Sequence, residues 1–259
     1  DDVGPIELNK GCGLDLDAVG VPTIAVIGPS RRGKSVLASL LAGGDPQLFP
    51  QSHSSFRAMT SGTNAWEGPH PLGGSLPLRV VDTEGLSHIG RGRRSEALVR
   101  QFLISTYLTS SWLVWLDTEV LSSSFFNMMW LVHDYVVDVL RVRDAAGTRL
   151  PRLMYVRTQE TEVQRHEYSG DFAGFGDFFG RVLESHEDAP ILKQMFAAGG
   201  VHAHALPVWT VQDLQKYEAS EFWLPEDQAT PFKEAVSALR TSLLSPPSLG
   251  AGGDSAGGD

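Results

Sequence analysis

Eight consecutive residues limit what this chain can fold into: Gly28-Pro29-Ser30-Arg31-Arg32-Gly33-Lys34-Ser35. They fit the pattern GxxxxGK[ST], and their flanks fit as well. Val21 to Ile27 (VPTIAVI) is a short apolar, β-branched run that reads as a buried strand, with Pro22 at its start, where a strand tolerates proline. Lys34 to Leu41 (KSVLASLL) has apolar residues at helical spacing and stops at Gly43-Gly44. In such a strand–loop–helix unit the glycines let the backbone curl until successive N–H groups point at phosphate oxygens. The helix N-terminus adds partial positive charge. Lys34 then reaches the β- and γ-phosphates, and the Ser35 hydroxyl ligates Mg2+. A glycine turn with a surface lysine would explain neither Ser35 nor the order of strand, loop and helix. Gly28, Ser30, Arg31, Arg32, Gly33, Lys34, Ser35 and Val36 are the candidate phosphate-binding residues.

A phosphate loop of this kind needs an acidic residue at the end of a neighbouring strand. Val80-Val81-Asp82-Thr83-Glu84-Gly85 supplies it: Asp82 would hold the metal through water, and the Gly85 N–H would bond the γ-phosphate. Leu116-Asp117-Thr118-Glu119 looks similar but lacks the following glycine, and reads as a strand end with a helix cap. Between the loop and Asp82 lies Thr60-Ser61-Gly62-Thr63-Asn64-Ala65-Trp66. A threonine there can place its hydroxyl on Mg2+ and its N–H on the γ-phosphate, ordering with the triphosphate and releasing after hydrolysis. Thr60 and Thr63 both qualify from the residues alone.

The rest of the chain alternates strands with helices. Strands are expected at Leu76–Val81, Ser111–Leu116, Leu150–Val156 and Ala203–Trp209. Helices are expected at Ser95–Leu108, Ser124–Val142, Phe175–Glu187, Ala189–Ala197 and Pro231–Leu244. That alternation predicts an α/β domain of the P-loop type, a mainly parallel sheet with helices on both faces, over residues 1–244. From Ser245 to Asp259 the composition collapses to SPPSLGAGGDSAGGD, expected to be a disordered tail.

Composition excludes several classes. Lys plus Arg is 21 and Asp plus Glu is 31, a net charge of −10, which argues against general affinity for nucleic acid or anionic lipid. Cys12 is the only cysteine, so an intrachain disulfide or zinc finger cannot form. A reducing, cytoplasmic compartment fits, and no signal peptide is visible at Asp1-Asp2-Val3-Gly4-Pro5. No apolar run reaches the ~20 residues of a membrane span, so membrane contact is not evident. The chain starts without methionine, as a piece of a longer protein would. An [NT]KxD motif, the usual reader of guanine, is absent, and the residues alone leave the base undetermined.

Taken in order, several of these residues resemble the guanylate-binding proteins and atlastins, large GTPases of the dynamin superfamily. Arg31 matches the arginine three residues after the first glycine of that family's phosphate loop. Thr60, Gly62 and Trp66 match its T-x-G and following tryptophan, which favours Thr60 over Thr63. Asp82-Thr83-Glu84-Gly85-Leu86 is similar to its DTEG segment, and Leu206-Pro207 to a Leu-Pro near its last strand. Leu153-Met154-Tyr155-Val156-Arg157 brings an arginine to the place of the family's Arg-Asp pair, with Thr158 where the family has Asp and Glu160 two residues on. Ala58 stands where guanylate-binding proteins carry a serine that helps place water.

The resemblance implies a Mg2+-dependent GTPase that hydrolyses GTP to GDP and is activated as a homodimer formed through the nucleotide face. It implies catalytic roles for Arg31, Lys34 and Thr60, with Arg31 as an internal arginine finger. It implies base contacts at Arg157 and Thr158, and a metal held by Ser35, Thr60 and Asp82. Ala58 and Thr158 favour a different class, a nucleotide-binding scaffold with weak or no hydrolysis, and an ATP-specific P-loop protein is a third reading. Among lesser signals, Arg91, Arg93 and Arg94 read as a solvated loop, His202 and His204 alternate on one strand, and Glu160, Glu162 and Glu167 read as a solvated acidic loop.

Overall fold

The computed structural model describes residues 21–43, 48–49, 63–70, 77–83, 103–139, 150–197, 199–207 and 231–244. Cys12, Ala58, Thr60, Gly62, Gly85, the arginines at 91–94 and the expected tail lie outside them. Among the described residues, six strands form one sheet in the order β2-β3-β1-β4-β5-β6. They are β1 (Thr23–Ile27), β2 (Thr63–Gly68), β3 (Leu78–Thr83), β4 (Trp112–Asp117), β5 (Arg152–Glu160) and β6 (Val201–Pro207). All neighbours pair in parallel except β2 with β3, which is antiparallel.

Helices α1 (Lys34–Ala42) and α7 (Pro231–Leu244) cover one face of the sheet. Helices α2 (103–109), α3 (Ser123–His133), α5 (Phe175–Glu184) and α6 (Ala189–Met195) cover the other. A short helix, α4 (Glu162–His166), follows β5. The strand pleat divides the core. Val114 and Leu116 of β4 pack with α1 and α7, whereas Leu113 and Trp115 pack with the opposite helices. Both faces being covered, β4 is apolar nearly throughout (WLVWLD) and every one of its residues is buried. The second face is rich in rings: Trp115 meets Phe125 edge-on at 5.3 Å, and Phe125 meets Tyr155 at 5.1 Å.

Three elements differ from the sequence expectation. Thr63–Gly68, where the sequence predicts neither strand nor helix, is a strand. Its local pattern is too polar to read as one, and it gains its form by pairing with β3, where Glu67 lies opposite Arg79 and accepts from its Nη2 at 2.7 Å. The long helical pattern after Ser123 is α-helical only to His133 and continues as π-helix over Asp134–Val139. The fourth expected strand, Leu150–Val156, instead runs to Glu160, so Arg157, Thr158 and Glu160 lie on a strand rather than in a loop.

Trp115 is fully buried, while Trp130 on α3 is 43% exposed. Trp115→Ala is expected to cost about 3–5 kcal/mol in urea unfolding, and Trp130→Ala less than about 1 kcal/mol. Equal costs would contradict the assignment of the core.

Candidate functional site: the phosphate loop and the carboxyl edge of the sheet

The loop from Gly28 to Gly33 joins β1 to α1 at the carboxyl edge of the sheet, and its backbone takes the shape its glycines permit. Gly28 has φ +139°, and a Cβ there would lie 2.4 Å from the Leu116 carbonyl oxygen of β4. Only glycine lets the loop press so closely on β4. Gly33 has φ +84° and caps α1. Arg31 has φ +64°, a left-handed conformation uncommon outside glycine.

The two loop arginines part ways. Arg31 is exposed. Arg32 turns back onto the sheet, with its Nε 3.7 Å from Oδ1 of the buried Asp117. Lys34 is buried, and its Nζ donates to the Pro29 carbonyl at 2.7 Å, curling the side chain over its own loop. Burial pulls the Lys34 pKa down to about 8; Asp82 opposes that shift and Arg32 adds to it.

The Ser35 hydroxyl donates to Asp82 Oδ2 at 2.8 Å, and Asp82 is fully buried at the end of β3. Next to it, the Thr83 hydroxyl donates to the Val26 carbonyl at 2.9 Å, tying β3 to β1. A hydroxyl and a carboxylate held together beside a phosphate loop are the hard oxygen donors that suit Mg2+. Ser35 and Asp82 therefore fit the ion. Val36 packs against the core on the α1 face. Thr63 opens β2 opposite Thr83 and is exposed. Thr60 and Gly85 lie outside the described residues.

At the far end of the edge, Arg157 stands in register between Asp117 and Ala205. It is 4% exposed, its Nη2 lies 3.4 Å from Glu167 Oε2, and its guanidinium carbon sits 5.9 Å from the Phe175 ring centroid. Its Nε and Nη1, like the Thr158 hydroxyl, are buried without a hydrogen-bond partner among the described residues. The strand then bulges: the register with β6 shifts between Arg157 and Glu160, and Gln159 has φ +57°. Glu160 is not a solvated acid, since it is buried, accepts from the Tyr168 hydroxyl and faces Arg165 Nε at 3.5 Å. Glu167 is exposed, as expected of a surface acid.

Asp117 is the residue that sequence reasoning undervalued. It is not itself the helix cap: Ser122 caps α3, accepting from the Phe125 N–H, and donates its hydroxyl to Asp117 Oδ2 at 2.6 Å. The signal was present, because an acid ending a fully apolar strand next to the phosphate-loop strand must find buried partners. The alternating histidines serve packing: His202 lies against Trp112 at 5.5 Å, and His204 Nε2 is 2.8 Å from the Ala235 carbonyl of α7.

The depressed Lys34 pKa gives a pH test. A triphosphate is attracted by the protonated amine, so Mg2+-nucleotide affinity is expected to be full near pH 7. It should fall as pH rises through about 8, by up to about tenfold per unit. Lys34→Arg keeps its charge and should flatten the profile. A wild-type profile flat to pH 9.5, read by equilibrium titration, would contradict this role.

Comparison with known proteins agrees with the motifs. Residues 14–118 match the profile of the family described as "Guanylate-binding protein, N-terminal domain". Guanylate-binding protein 6 of Mus musculus is 34% identical over 161 residues, covering 62% of this chain and 22% of that protein. Guanylate-binding protein 3 of Homo sapiens is 26% identical over 162 residues, covering 62% of this chain and 24% of that protein. The chain thus spans less than a quarter of the length of these relatives. Among solved structures, a small GTPase from Trypanosoma brucei with a bound nucleotide analogue covers 86% of this chain and 98% of its own, at 10% identity and a TM-score of 0.40. The matched stretch holds the phosphate loop, Asp82 and Asp117, so over that stretch this chain is similar to the N-terminal domain of guanylate-binding proteins.

Proposed function

We propose that this domain binds GTP with Mg2+ and hydrolyses it to GDP, and that two copies meeting through their nucleotide faces activate hydrolysis. The observation that carries the reading is the Ser35–Asp82 contact beside a phosphate loop whose lysine is buried over it. The likeness to guanylate-binding proteins supports guanine as the base.

In this reading the loop N–H groups and the α1 N-terminus hold the phosphates. Lys34 leaves the Pro29 carbonyl for the phosphate oxygens. Ser35 and Asp82, with Thr60, would hold Mg2+, which offsets charge on the phosphates. Gly85 would hold the γ-phosphate. Arg31, which is exposed, is the arginine that would act across the face, whereas Arg32 lies against Asp117. Arg157 and Thr158 stand at the base end.

One observation favours a second reading, a nucleotide-binding scaffold with slow or absent turnover. Glu160, the acid nearest to Thr158 on β5, is engaged by Tyr168 and Arg165, so it is not available to pair with guanine.

Turnover per site, measured across a hundredfold range of protein concentration, separates the two. The GTPase reading expects turnover to rise with concentration, and Arg31→Ala to remove most of that rise, since an arginine finger is worth about 10³–10⁵ in rate. Arg32→Ala should leave the rise intact at saturating GTP. Zero turnover at every concentration would overturn hydrolysis and leave the scaffold.

A further inference from the structure

Asp117 takes part in no step of the reaction proposed above, yet it is buried and hydrogen-bonded at the edge of the site. It is 2% exposed at the end of β4. Its Oδ1 accepts from the Thr118 N–H at 2.8 Å, and its Oδ2 accepts from the Ser122 hydroxyl at 2.6 Å. The one cation among the described residues within ion-pair distance of it is Arg32, at 3.7 Å. That arginine lies in the phosphate loop, immediately before Gly33 and Lys34.

We infer that Asp117 is a positioning residue for the phosphate loop: its carboxylate holds the Arg32 side chain against the sheet and so fixes the loop backbone in its phosphate-binding shape. The inference rests on reading Gly28–Ser35 as the nucleotide site, and it assigns the Arg32 side chain to Asp117 rather than to the nucleotide. Three features make the link mechanical. Asp117 is rigid, held by two hydrogen bonds and by β4, whose backbone the loop touches at Gly28. Arg32 keeps part of its side chain in water, 34% exposed, while its Nε is buried and has no hydrogen-bond partner among the described residues, so the Asp117 charge at 3.7 Å is what offsets its desolvation. The flanking residue Arg31 is left-handed at φ +64°, so successive side chains diverge, one into solvent and one onto the sheet. A loop held in advance spends less binding energy on ordering itself around a ligand.

The isostere separates charge from capping. Asp117→Asn keeps one oxygen to accept from the Thr118 N–H, turns an amide donor toward the Ser122 hydroxyl, and removes the charge that holds Arg32. The experiment is a double-mutant cycle of Arg32→Ala and Asp117→Asn in the whole chain, reading the Kd for Mg2+-GTP, kcat and the melting temperature. Each single variant is expected to weaken binding by about 5–10-fold, and the double variant by no more than either alone, the signature of one shared contact. Saturating kcat of Asp117→Asn should stay within about twofold, in contrast to Arg31→Ala. Arg32→Lys, which keeps the charge, should recover much of the affinity.

The melting temperature of Asp117→Asn should fall by no more than a few degrees, because the carboxamide oxygen still accepts from the Thr118 N–H and the Ser122 hydroxyl can turn to accept from the amide. Additive losses in the cycle, or unchanged affinity in Asp117→Asn, would overturn the inference and leave Asp117 as a support for the α3 cap. A fall in melting temperature that accounts for the lost affinity would overturn it likewise. A wild-type chain that binds neither Mg2+-GTP nor Mg2+-ATP would overturn both this and the reading it rests on. Binding of wild type with an additive cycle would sink this inference alone.

Discussion

The close approach of the Gly28 backbone to the Leu116 carbonyl is the contact on which the site depends. It sets the phosphate loop against the end of β4 at a distance no side chain at Gly28 would allow. From that contact the rest follows. The loop turns through Arg31 and Gly33 at positive φ, and α1 starts at Lys34 with its first N–H groups facing the loop. Parallel pairing of β1 with β3 brings Asp82 to Ser35, and parallel pairing of β1 with β4 brings Asp117 to Arg32. Four residues from two strands, one helix and one loop thus meet in two pairs, although only Arg32 and Ser35 are near in sequence.

The charge arrangement serves the same end. The chain carries a net charge of −10, unfavourable for a polyanionic ligand at long range. At the carboxyl edge of the sheet, however, cations are drawn together: Arg31, Arg32, Lys34 and Arg157. Acids face three of them: buried Asp82 acts on Lys34, buried Asp117 lies beside Arg32, and the exposed Glu167 lies beside Arg157. Lys34 shows the balance most clearly, since burial and the Arg32 charge push its proton off while Asp82 retains it. A phosphate arriving there would restore what desolvation has taken.

Much of the fold was legible because the strands next to the site are apolar on both faces and end in marked residues. VPTIAVI before glycine and SWLVWL before Asp117 could not be mistaken for surface segments. The phosphate loop was legible for a different reason: its glycines and its Lys-Ser pair are demanded by backbone shape and chemistry at fixed spacing. Other features were hidden where tertiary contacts decide. β2 is a strand only because β3 pairs with it, and its Thr-Asn-Ala sequence carries no period-2 apolar pattern. The extension of β5 through Thr158 to Glu160 depends on a bulge at Gln159 and on the burial of Glu160 by Tyr168. Asp117 read as a cap because its partner, Arg32, lies 85 positions earlier in the chain, and no local pattern reports such a pair.

The central claim is that this edge of the sheet is a Mg2+-nucleotide site with a preference for guanine. Side-by-side equilibrium binding of Mg2+-GTP and Mg2+-ATP, with Lys34→Ala as the control, tests it most directly. The account predicts binding of GTP in preference to ATP and loss of that binding in Lys34→Ala. Binding of neither nucleotide, or equal binding that survives Lys34→Ala, would contradict it.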